Sequence, residues 1–340
     1  MNGLVVVTGG AGFIGSHLVK QLVELGQEVR VVERPGAEVG HLPRQVDVAW
    51  ADIRDRKTVA KALHKAELVY HLAANPNLWA RDRRDFEAVN HQGTVNVLES
   101  ALEAGARRVL HTSTESILTR KAARGPIDEN VEISESDAVG PYCLSKLRAE
   151  NAAMALARGG RPVVVANPTM PVGPGDRGLS PPTRLIRDFC RGHLPAIMDC
   201  TLNLIDVRDV ATGLLRAMER GQAGRRYLLG GENLTLASFL SVLSRLSGVS
   251  VPRWRVPYSA GLAVAYVSEF WSDYISGSPP KATVTGVRLA RRIMHFDPSR
   301  SLGELDLAPR PIREAIRDAL DWLSRTGQIP EIVPGSRVSN

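Results

Sequence analysis

The sequence predicts an α/β protein: a doubly wound parallel sheet followed by a smaller C-terminal α/β substrate lobe. Apolar, β-branched runs of strand length alternate with helical patterns through residues 4–166, as in a parallel sheet with helices on both faces. The first run, residues 4–8, leads directly into a glycine-rich turn and then into a helical pattern. From residue 167 the regular alternation gives way to turn-rich sequence.

The glycine-rich turn carries the first functional prediction. Gly9, Gly12 and Gly15 lack the Cβ atoms that would keep a pyrophosphate away from the backbone. The helix that opens at Phe13 and Ile14 offers unpaired N–H groups and the positive end of its dipole to that anion. This arrangement is the Rossmann-type strand–turn–helix, and it predicts a bound dinucleotide.

The choice of dinucleotide depends on two adjacent residues. Glu33 ends the second strand-like run, eighteen residues after Gly15. A carboxylate there can accept both hydroxyls of an adenosine ribose and repel a 2′-phosphate, which favours NAD. Arg34 follows directly and could instead pair with that phosphate, so NADP is the alternative cofactor.

The remaining elements of the first domain, residues 1–166, follow in alternation. Its strands are predicted at 46–50, 68–72, 108–112 and 162–166, and its helices at 57–65, 81–103 and 141–158. The polar, aperiodic stretch 118–139 reads as a surface loop. The small residues Ala73 and Ala74 end a strand, at the edge where ligands approach an open α/β sheet.

Residues 167–330 are predicted to form the substrate lobe, partly interleaved with the first domain, and 331–340 a tail. Helices are expected at 183–191, 208–220, 235–247 and 311–326, and strands at 201–207 and 225–229. Both strands are candidates to rejoin the main sheet. Segment 261–275 is apolar and aromatic with only two acids. It is either a buried helix or a surface that shapes an apolar pocket or rests on a membrane.

The composition of the chain limits the classes of binding partner that are expected. A net charge of +7 suits a dinucleotide, a phosphorylated substrate or an acidic membrane surface, and equally a merely solvated basic surface. Aromatic residues make up 5% of the chain and do not interleave with basic ones, so no nucleic-acid partner is expected.

The cysteine count and the hydropathy pattern predict the cellular compartment of the protein. Cys143, Cys190 and Cys200 are odd in number and lack metal-ligand spacing, which fits a reducing compartment and predicts no metal site. The first strand begins by residue 4, so no signal peptide is expected. No run approaches the ~18 apolar residues that span a bilayer. The predicted location is the cytoplasm.

The catalytic candidates are Tyr142 and Lys146, four residues apart at the start of a predicted helix and hence on one face. A nearby ammonium stabilises phenolate and lowers the pKa of a phenol, so the tyrosine can exchange a proton with a substrate alcohol as hydride moves. Thr112, Ser113 and Thr114 end the preceding strand. One of these hydroxyls could orient the substrate oxygen, although strand-end hydroxyls also serve as caps.

Several motifs in order resemble the extended short-chain dehydrogenase/reductase superfamily. They are residues 8–15, Asp52-Ile53, 71–74, Asn90, Ser113-Thr114 and the Tyr142/Lys146 pair. Within it the chain most resembles the hopanoid-associated sugar epimerase group, near the dihydroflavonol reductases and 3β-hydroxysteroid dehydrogenases. That likeness is carried by residues 78–82, 167–169, 173–176, 202–207 and 230–235.

The resemblance implies further site residues. Asp52 and Ile53 flank the adenine, Leu72, Ala73, Ala74 and Asn90 line the cofactor cleft with Thr112, and Pro168 lies near the nicotinamide. Thr114 takes the catalytic Ser/Thr position, and Asn75, Thr114, Asn167 and Arg288 contact substrate. The resemblance also implies a homodimer formed through the helices near 81–104 and 141–158. Sugar 4,6-dehydratases carry Asp-Glu after the threonine, whereas Glu115-Ser116 follow Thr114 here, which disfavours dehydration.

Three functional hypotheses follow, each with a small-molecule or dinucleotide ligand. The first is a sugar or sugar-nucleotide epimerase that keeps NAD. Arg288, Arg291 and Arg292 are candidate phosphate contacts for it, the alternative being that they only solvate a helix. The second is an NAD(P)-dependent reductase or dehydrogenase of an apolar alcohol or ketone, such as a steroid, triterpenoid or flavonoid, favoured by segment 261–275. The third is a non-enzymatic dinucleotide sensor, against which the Tyr142/Lys146 pair argues.

Overall fold

The computed structural model describes residues 3–121 and 125–331. Its strands are β1 (Leu4–Thr8), β2 (Val29–Glu33), β3 (Asp47–Trp50), β4 (Ala66–His71), β5 (Arg108–Thr112), β6 (Val163–Pro168), β7 (Met170–Val172), β8 (Ala196–Ile197), β9 (Thr201–Asp206), β10 (Arg226–Leu229), β11 (Glu232–Thr235) and β12 (Trp254–Arg255).

Its α-helices are α1 (Phe13–Glu24), α2 (Arg56–Ala62), α3 (Gly93–Glu103), α4 (Gly140–Arg158), α5 (Pro181–Cys190), α6 (Val207–Arg220), α7 (Leu236–Ser247), α8 (Tyr258–Trp271), α9 (Val284–Ala290), α10 (Ser299–Leu305) and α11 (Ile312–Arg325). A π-helical segment, Phe86–Gln92, runs into α3, and another, Ser272–Ser276, continues α8.

Within residues 3–121 and 125–331, the main sheet has seven parallel strands in the order β10-β6-β5-β4-β1-β2-β3. Alternating side chains of β1 serve its two faces. Val5 and Val7 pack with α1 and α6, and Val6 packs with α2 and α3. The predicted doubly wound fold is therefore confirmed.

The C-terminal lobe has its own core, in which α5, α7 and α11 cover β7 and β9. Of the two strands expected to rejoin the main sheet, β10 does so by pairing with β6. In contrast, β9 pairs with β7 and β11 in a separate three-stranded sheet. Because α6 packs on the main core while β9 before it belongs to the lobe, the two halves interleave along the chain.

Two sequence expectations need correction. The helix predicted from 81 begins at Arg84 and becomes π-helical from Phe86, because bends and a turn at 81–83 precede it. Segment 261–275 is helical but not a buried helix, since Ala265 is the only buried side chain of α8. None of the helices in the described ranges combines the length and apolarity needed to cross a bilayer. The predicted tail lies, except for Glu331, outside the described residues.

Candidate active site

The glycine turn between β1 and α1 is fixed by close backbone contacts. Gly9 has a φ of +71°, and a Cβ on it would lie 2.7 Å from the Ala73 nitrogen. A Cβ on Gly15 would lie 2.2 Å from the Gly9 carbonyl oxygen. Gly12 starts α1 without a side-chain cap, so the first amides of the helix, at Phe13 and Ile14, have no intrahelical partner. These features fit a pyrophosphate against the turn.

Glu33 reaches this turn from the end of β2. Its Oε1 accepts a hydrogen bond from the Ala11 N–H at 2.8 Å. Burial raises the pKa of the carboxyl, and the Ala11 bond and the nearby Arg34 oppose that shift. Arg34 itself is exposed. A carboxylate held beside the glycine turn fits a ribose hydroxyl pair, as expected for NAD.

The two residues expected to flank adenine have different surroundings. The backbone N–H and the guanidinium of Arg54 both donate hydrogen bonds to the Asp52 carboxylate. These bonds lower the pKa of the Asp52 carboxyl. Ile53 is buried and lies under Gly93, where a Cβ would come within 2.7 Å of Ile53 Cδ1.

Asn90, predicted to line the cofactor cleft, is held by hydrogen bonds on both sides. Its Oδ1 accepts from the Asn75 N–H at 2.7 Å, and its Nδ2 donates to the Asn75 carbonyl and to Ser145 Oγ. Leu72 and Ala74 lie between Asn75 and β4, and the Leu72 N–H donates to the Thr8 carbonyl. The fully buried Asn90 thus ties the loop after β4 to α4.

The Tyr142 phenol meets the end of β5. Its hydroxyl lies beside the side chains of Thr114 and Ser116, and its ring packs edge-on against Phe86 at 6.2 Å between centroids. Lys146 is buried one helical turn further along α4 and donates from Nζ to the Thr112 carbonyl at 2.9 Å. The structure therefore brings together Tyr142, Lys146 and Thr114 of the predicted catalytic group.

The other two strand-end hydroxyls are placed differently. Ser113 Oγ and Thr112 Oγ1 are buried and have no hydrogen-bond partner within the described residues. Two orphaned buried hydroxyls beside the cleft are the kind of groups that a bound cofactor or substrate satisfies. Together with the glycine turn and Glu33, they fit NAD.

Burial dominates the electrostatics of the tyrosine. It raises the pKa of the Tyr142 phenol, and Cys143 and Glu115 raise that pKa further. The Lys146 ammonium is bonded to the Thr112 carbonyl, and its expected lowering of the phenol pKa together with the nicotinamide stays a prediction. Burial also lowers the pKa of Lys146 to about 8, against the opposing charge of Glu150. The phenol is consequently a neutral hydrogen-bond donor at physiological pH.

Glu115 is the site residue that the motif analysis left without a role. It accepts a hydrogen bond from Thr114 Oγ1 at 2.9 Å, and desolvation raises the pKa of its carboxyl to about 7. The signal in the sequence was its position, directly after the strand-end hydroxyls, where a side chain enters the ligand edge of the sheet.

The raised pKa of Glu115 predicts a pH-dependent stability. The folded state binds this proton more tightly than the unfolded chain, so the group destabilises the fold progressively between pH 4.5 and about 7. Glu115→Gln keeps an acceptor for Thr114 and removes the charge. We expect it to unfold at higher urea concentration than the parent at pH 8, and at the same concentration near pH 4. The exposed Glu132→Gln is the control; a pH-independent difference for Glu115→Gln contradicts the assignment.

A buried hydrogen-bond network holds the backbone at Thr114 in place. Glu150, fully buried in α4, accepts from Arg226 Nε at 2.6 Å and from Asn167 Nδ2 at 2.7 Å. Asn167 also donates to the Thr114 carbonyl. Asn167, expected to contact substrate, is fully buried and hydrogen-bonded below Thr114. Its neighbour Pro168 is buried at the end of β6.

A cleft beside Tyr142 is the candidate substrate pocket. Its lining residues are Leu78, Trp79, Arg83, Phe86, Gly140, Pro141, Tyr266, Glu269, Val284, Thr285 and Arg288. Phe86, which packs against Tyr142, links this cleft to the phenol. Arg83 donates to Glu269 and Asp273, so that cation is neutralised within the wall. Arg288 donates to the Tyr266 hydroxyl at 2.8 Å.

Three comparisons with known proteins bear on this site. Residues 5–230 match the NAD dependent epimerase/dehydratase family. The chain is 34% identical to a putative dihydroflavonol 4-reductase of Synechocystis sp., over 95% of both chains. It is 32% identical to sterol demethylase protein B of Methylococcus capsulatus, over 95% of this chain and 99% of that one. The crystal structure of gox2253 is similar with a TM-score of 0.85 and 34% identity, covering 96% and 100% of the two chains.

Proposed function

Since this chain belongs to the NAD-dependent epimerase/dehydratase family, we propose that it transfers hydride at a secondary alcohol or ketone, using Tyr142, Lys146 and Thr114. The observation that carries this proposal is that Tyr142 lies beside Thr114 at the end of β5, on the same edge of the parallel sheet as the glycine turn after β1. NAD, when bound, donates or accepts the hydride.

Residues of the protein supply the proton that the substrate oxygen takes up. In reduction of a ketone, the neutral Tyr142 phenol donates its proton to the carbonyl oxygen as that oxygen gains charge, and Thr114 orients the same oxygen. Ser116 is hydrogen-bonded to Thr114 and steadies that hydroxyl, and the phenolate left on Tyr142 regains its proton from water after the alcohol product leaves. Lys146 holds the Thr112 carbonyl and adds positive charge near the resulting phenolate.

These groups favour the reduction of an apolar ketone. Because its pKa is raised, the Tyr142 phenol is protonated, which is the state that reduction of a carbonyl requires of a proton donor. The cleft beside it is lined by the apolar side chains of Leu78, Trp79, Phe86 and Val284 as well as by Thr285, Glu269 and Arg288, and its Arg83 is engaged by two carboxylates. Apolar rings and chains of the steroid, triterpenoid or flavonoid kind fit such a wall.

The sugar-nucleotide epimerase expected from the sequence is the second candidate. Arg288 lines the cleft and is exposed, so its guanidinium could bind a substrate phosphate. Glu33 fits the NAD that an epimerase retains through its cycle. An epimerase oxidises and then reduces one carbon, whereas a reductase consumes one NADH and one proton per ketone.

One experiment separates these candidates. Purified protein is denatured and the released dinucleotide identified, and NADH oxidation is then followed with a water-soluble aromatic ketone. We expect little retained cofactor and one NADH oxidised per ketone reduced. Stoichiometric retained NAD, with turnover of a sugar nucleotide and no net NADH oxidation, would establish the epimerase instead.

The cofactor choice gives a prediction at Glu33. Glu33→Leu removes the ribose acceptor and the repulsion of a 2′-phosphate, and each hydrogen bond to a charged group is worth about 1.5–3 kcal/mol. We expect NAD affinity to fall about tenfold or more and the preference for NAD over NADP to shrink, as measured by fluorescence titration. Glu38→Leu, an exposed acid nearby, is the matched control; an unchanged NAD/NADP ratio for Glu33→Leu contradicts the role.

Assembly and location remain predictions. We propose a cytoplasmic homodimer that uses α4 and the helix formed by Phe86–Gln92 with α3, which pack together in the protomer. Cys143, Cys190 and Cys200 are free thiols, as expected of a reducing compartment. Light scattering of the purified chain tests the dimer.

A further inference from the structure

The side of α8 turned to solvent is a continuous apolar stripe. Pairs of neighbouring residues are exposed once per turn, at 263/264, 266/267, 270/271 and 274/275. The large side chains among them are between 51% and 76% exposed: Val264, Tyr266, Val267, Phe270, Trp271, Tyr274 and Ile275. We call these seven residues the α8 face. Soluble surfaces rarely present so many large apolar groups together.

The acids of this segment point away from the α8 face. Glu269 accepts from Arg83 Nη2 and from the Val284 N–H, and its side chain is 15% exposed. Asp273 accepts from the Trp79 indole and from Arg83, and its side chain is 24% exposed. These bonds fix the rotation of the helix, so the exposure of the α8 face is a built feature of the fold.

The margins of the α8 face are basic. Arg253, Lys281, Arg288 and Arg291 are exposed on the segments directly before and after α8. Arg288 donates to Tyr266, and Arg291 lies over the Tyr258 ring at 4.7 Å, so both cations border the helix. Arg255 is also exposed but pairs with Asp199. Trp254, between two arginines, is 78% exposed.

We propose that the α8 face docks on the surface of an anionic phospholipid bilayer, with its aromatic rings at headgroup depth and its basic margins on the lipid phosphates. Apolar residues flanked by arginine and lysine are the pattern of interfacial helices. A second copy of the chain fits less well. A two-fold interface would bring the same basic margins of both copies face to face, where like charges repel.

The α8 face also borders the candidate substrate pocket. Tyr266 belongs to the face and lines the cleft with Arg288, and the Tyr266 hydroxyl binds that guanidinium. A protein docked in this way would present the mouth of its cleft to the lipid. An apolar ketone dissolved in the bilayer could then enter without crossing water. This route rests on the proposed function, whereas the docking itself does not.

Vesicle sedimentation tests the docking directly. The full chain is mixed with vesicles of phosphatidylcholine alone, or of phosphatidylcholine and phosphatidylglycerol in equal amounts. We expect binding to the anionic vesicles, weakened by salt. The combined change Val267→Ser, Phe270→Ser and Tyr274→Ser is expected to lower the partition coefficient at least about tenfold. The matched control, Leu25→Ser with Trp50→Ser, changes exposed apolar residues elsewhere and should bind as the parent does.

The charge contribution has its own variant. Arg253→Gln with Lys281→Gln is expected to lower partition into anionic vesicles about tenfold or more and to leave phosphatidylcholine binding unchanged. Absence of parent binding to the anionic vesicles, or unchanged binding by the triple-serine variant, overturns the proposal. So does a parent oligomer that the triple-serine variant dissociates, because the face would then belong to a second copy. Turnover of a soluble ketone in vesicle-free buffer reports on the proposed function separately.

Discussion

Tyr142→Phe is expected to lower kcat by about 10²–10⁴-fold, the usual contribution of a positioned acid or base, while NAD binds as tightly as before. The substitution removes only the phenolic oxygen, which is the atom that meets Thr114 and Ser116. The ring remains to pack against Phe86. Steady-state kinetics with the reducible ketone and fluorescence titration of NADH measure the two quantities.

A buried tyrosine elsewhere in the protein provides the control. Tyr227 in β10 is 2% exposed, and its hydroxyl accepts from the Gln222 N–H at 2.9 Å. Tyr227→Phe should cost about 1 kcal/mol of stability for that hydrogen bond and leave kcat within a few-fold. If Tyr142→Phe retains the parental rate, the phenol is not the proton donor.

Gly15→Ala is expected to weaken NAD binding at least about tenfold and to destabilise the fold by about 1–3 kcal/mol, the usual cost of overpacking. The new Cβ would lie 2.2 Å from the Gly9 carbonyl oxygen and 2.8 Å from Gly10 Cα. Both are main-chain atoms of the turn, so the turn itself must move. Titration with NADH and urea unfolding give the two effects.

Gly303→Ala is the matched change. Gly303 is also helical, in α10, and a Cβ there meets nothing within 4 Å. That variant should bind NADH as the parent does and be slightly more stable, because alanine is the better helix former. Parental affinity in Gly15→Ala would mean that the turn does not hold the pyrophosphate.

The family assignment confirms the predicted NAD-dependent enzyme and the predicted likeness to extended short-chain dehydrogenase/reductases. Local sequence was sufficient for this. The glycine spacing at 9, 12 and 15, the acid at 33 and the i,i+4 pair at 142 and 146 each act over a few residues, so their spacing is visible in the chain. The strand–helix alternation likewise predicts the parallel sheet.

Other features depend on contacts between distant residues. The role of β9 was decided by pairing with β7 and β11, since an apolar run does not specify its partner strand. The position of Asn167 beneath Thr114 was decided by Glu150 and Arg226, which lie far apart in sequence. The raised pKa values of Tyr142 and Glu115 arose from burial, a property of the assembled site.

The sequence by itself determined the strands and helices, the cofactor class and the catalytic candidates, because each depends on the spacing of residues that are close together in the chain. Tertiary structure alone decided which way segment 261–275 faces. Its composition fits a buried helix equally well, and the orientation became fixed only when Arg83 and Trp79, nearly 200 residues earlier, bound Glu269 and Asp273. Those bonds turn the two acids inward and leave the apolar side in solvent.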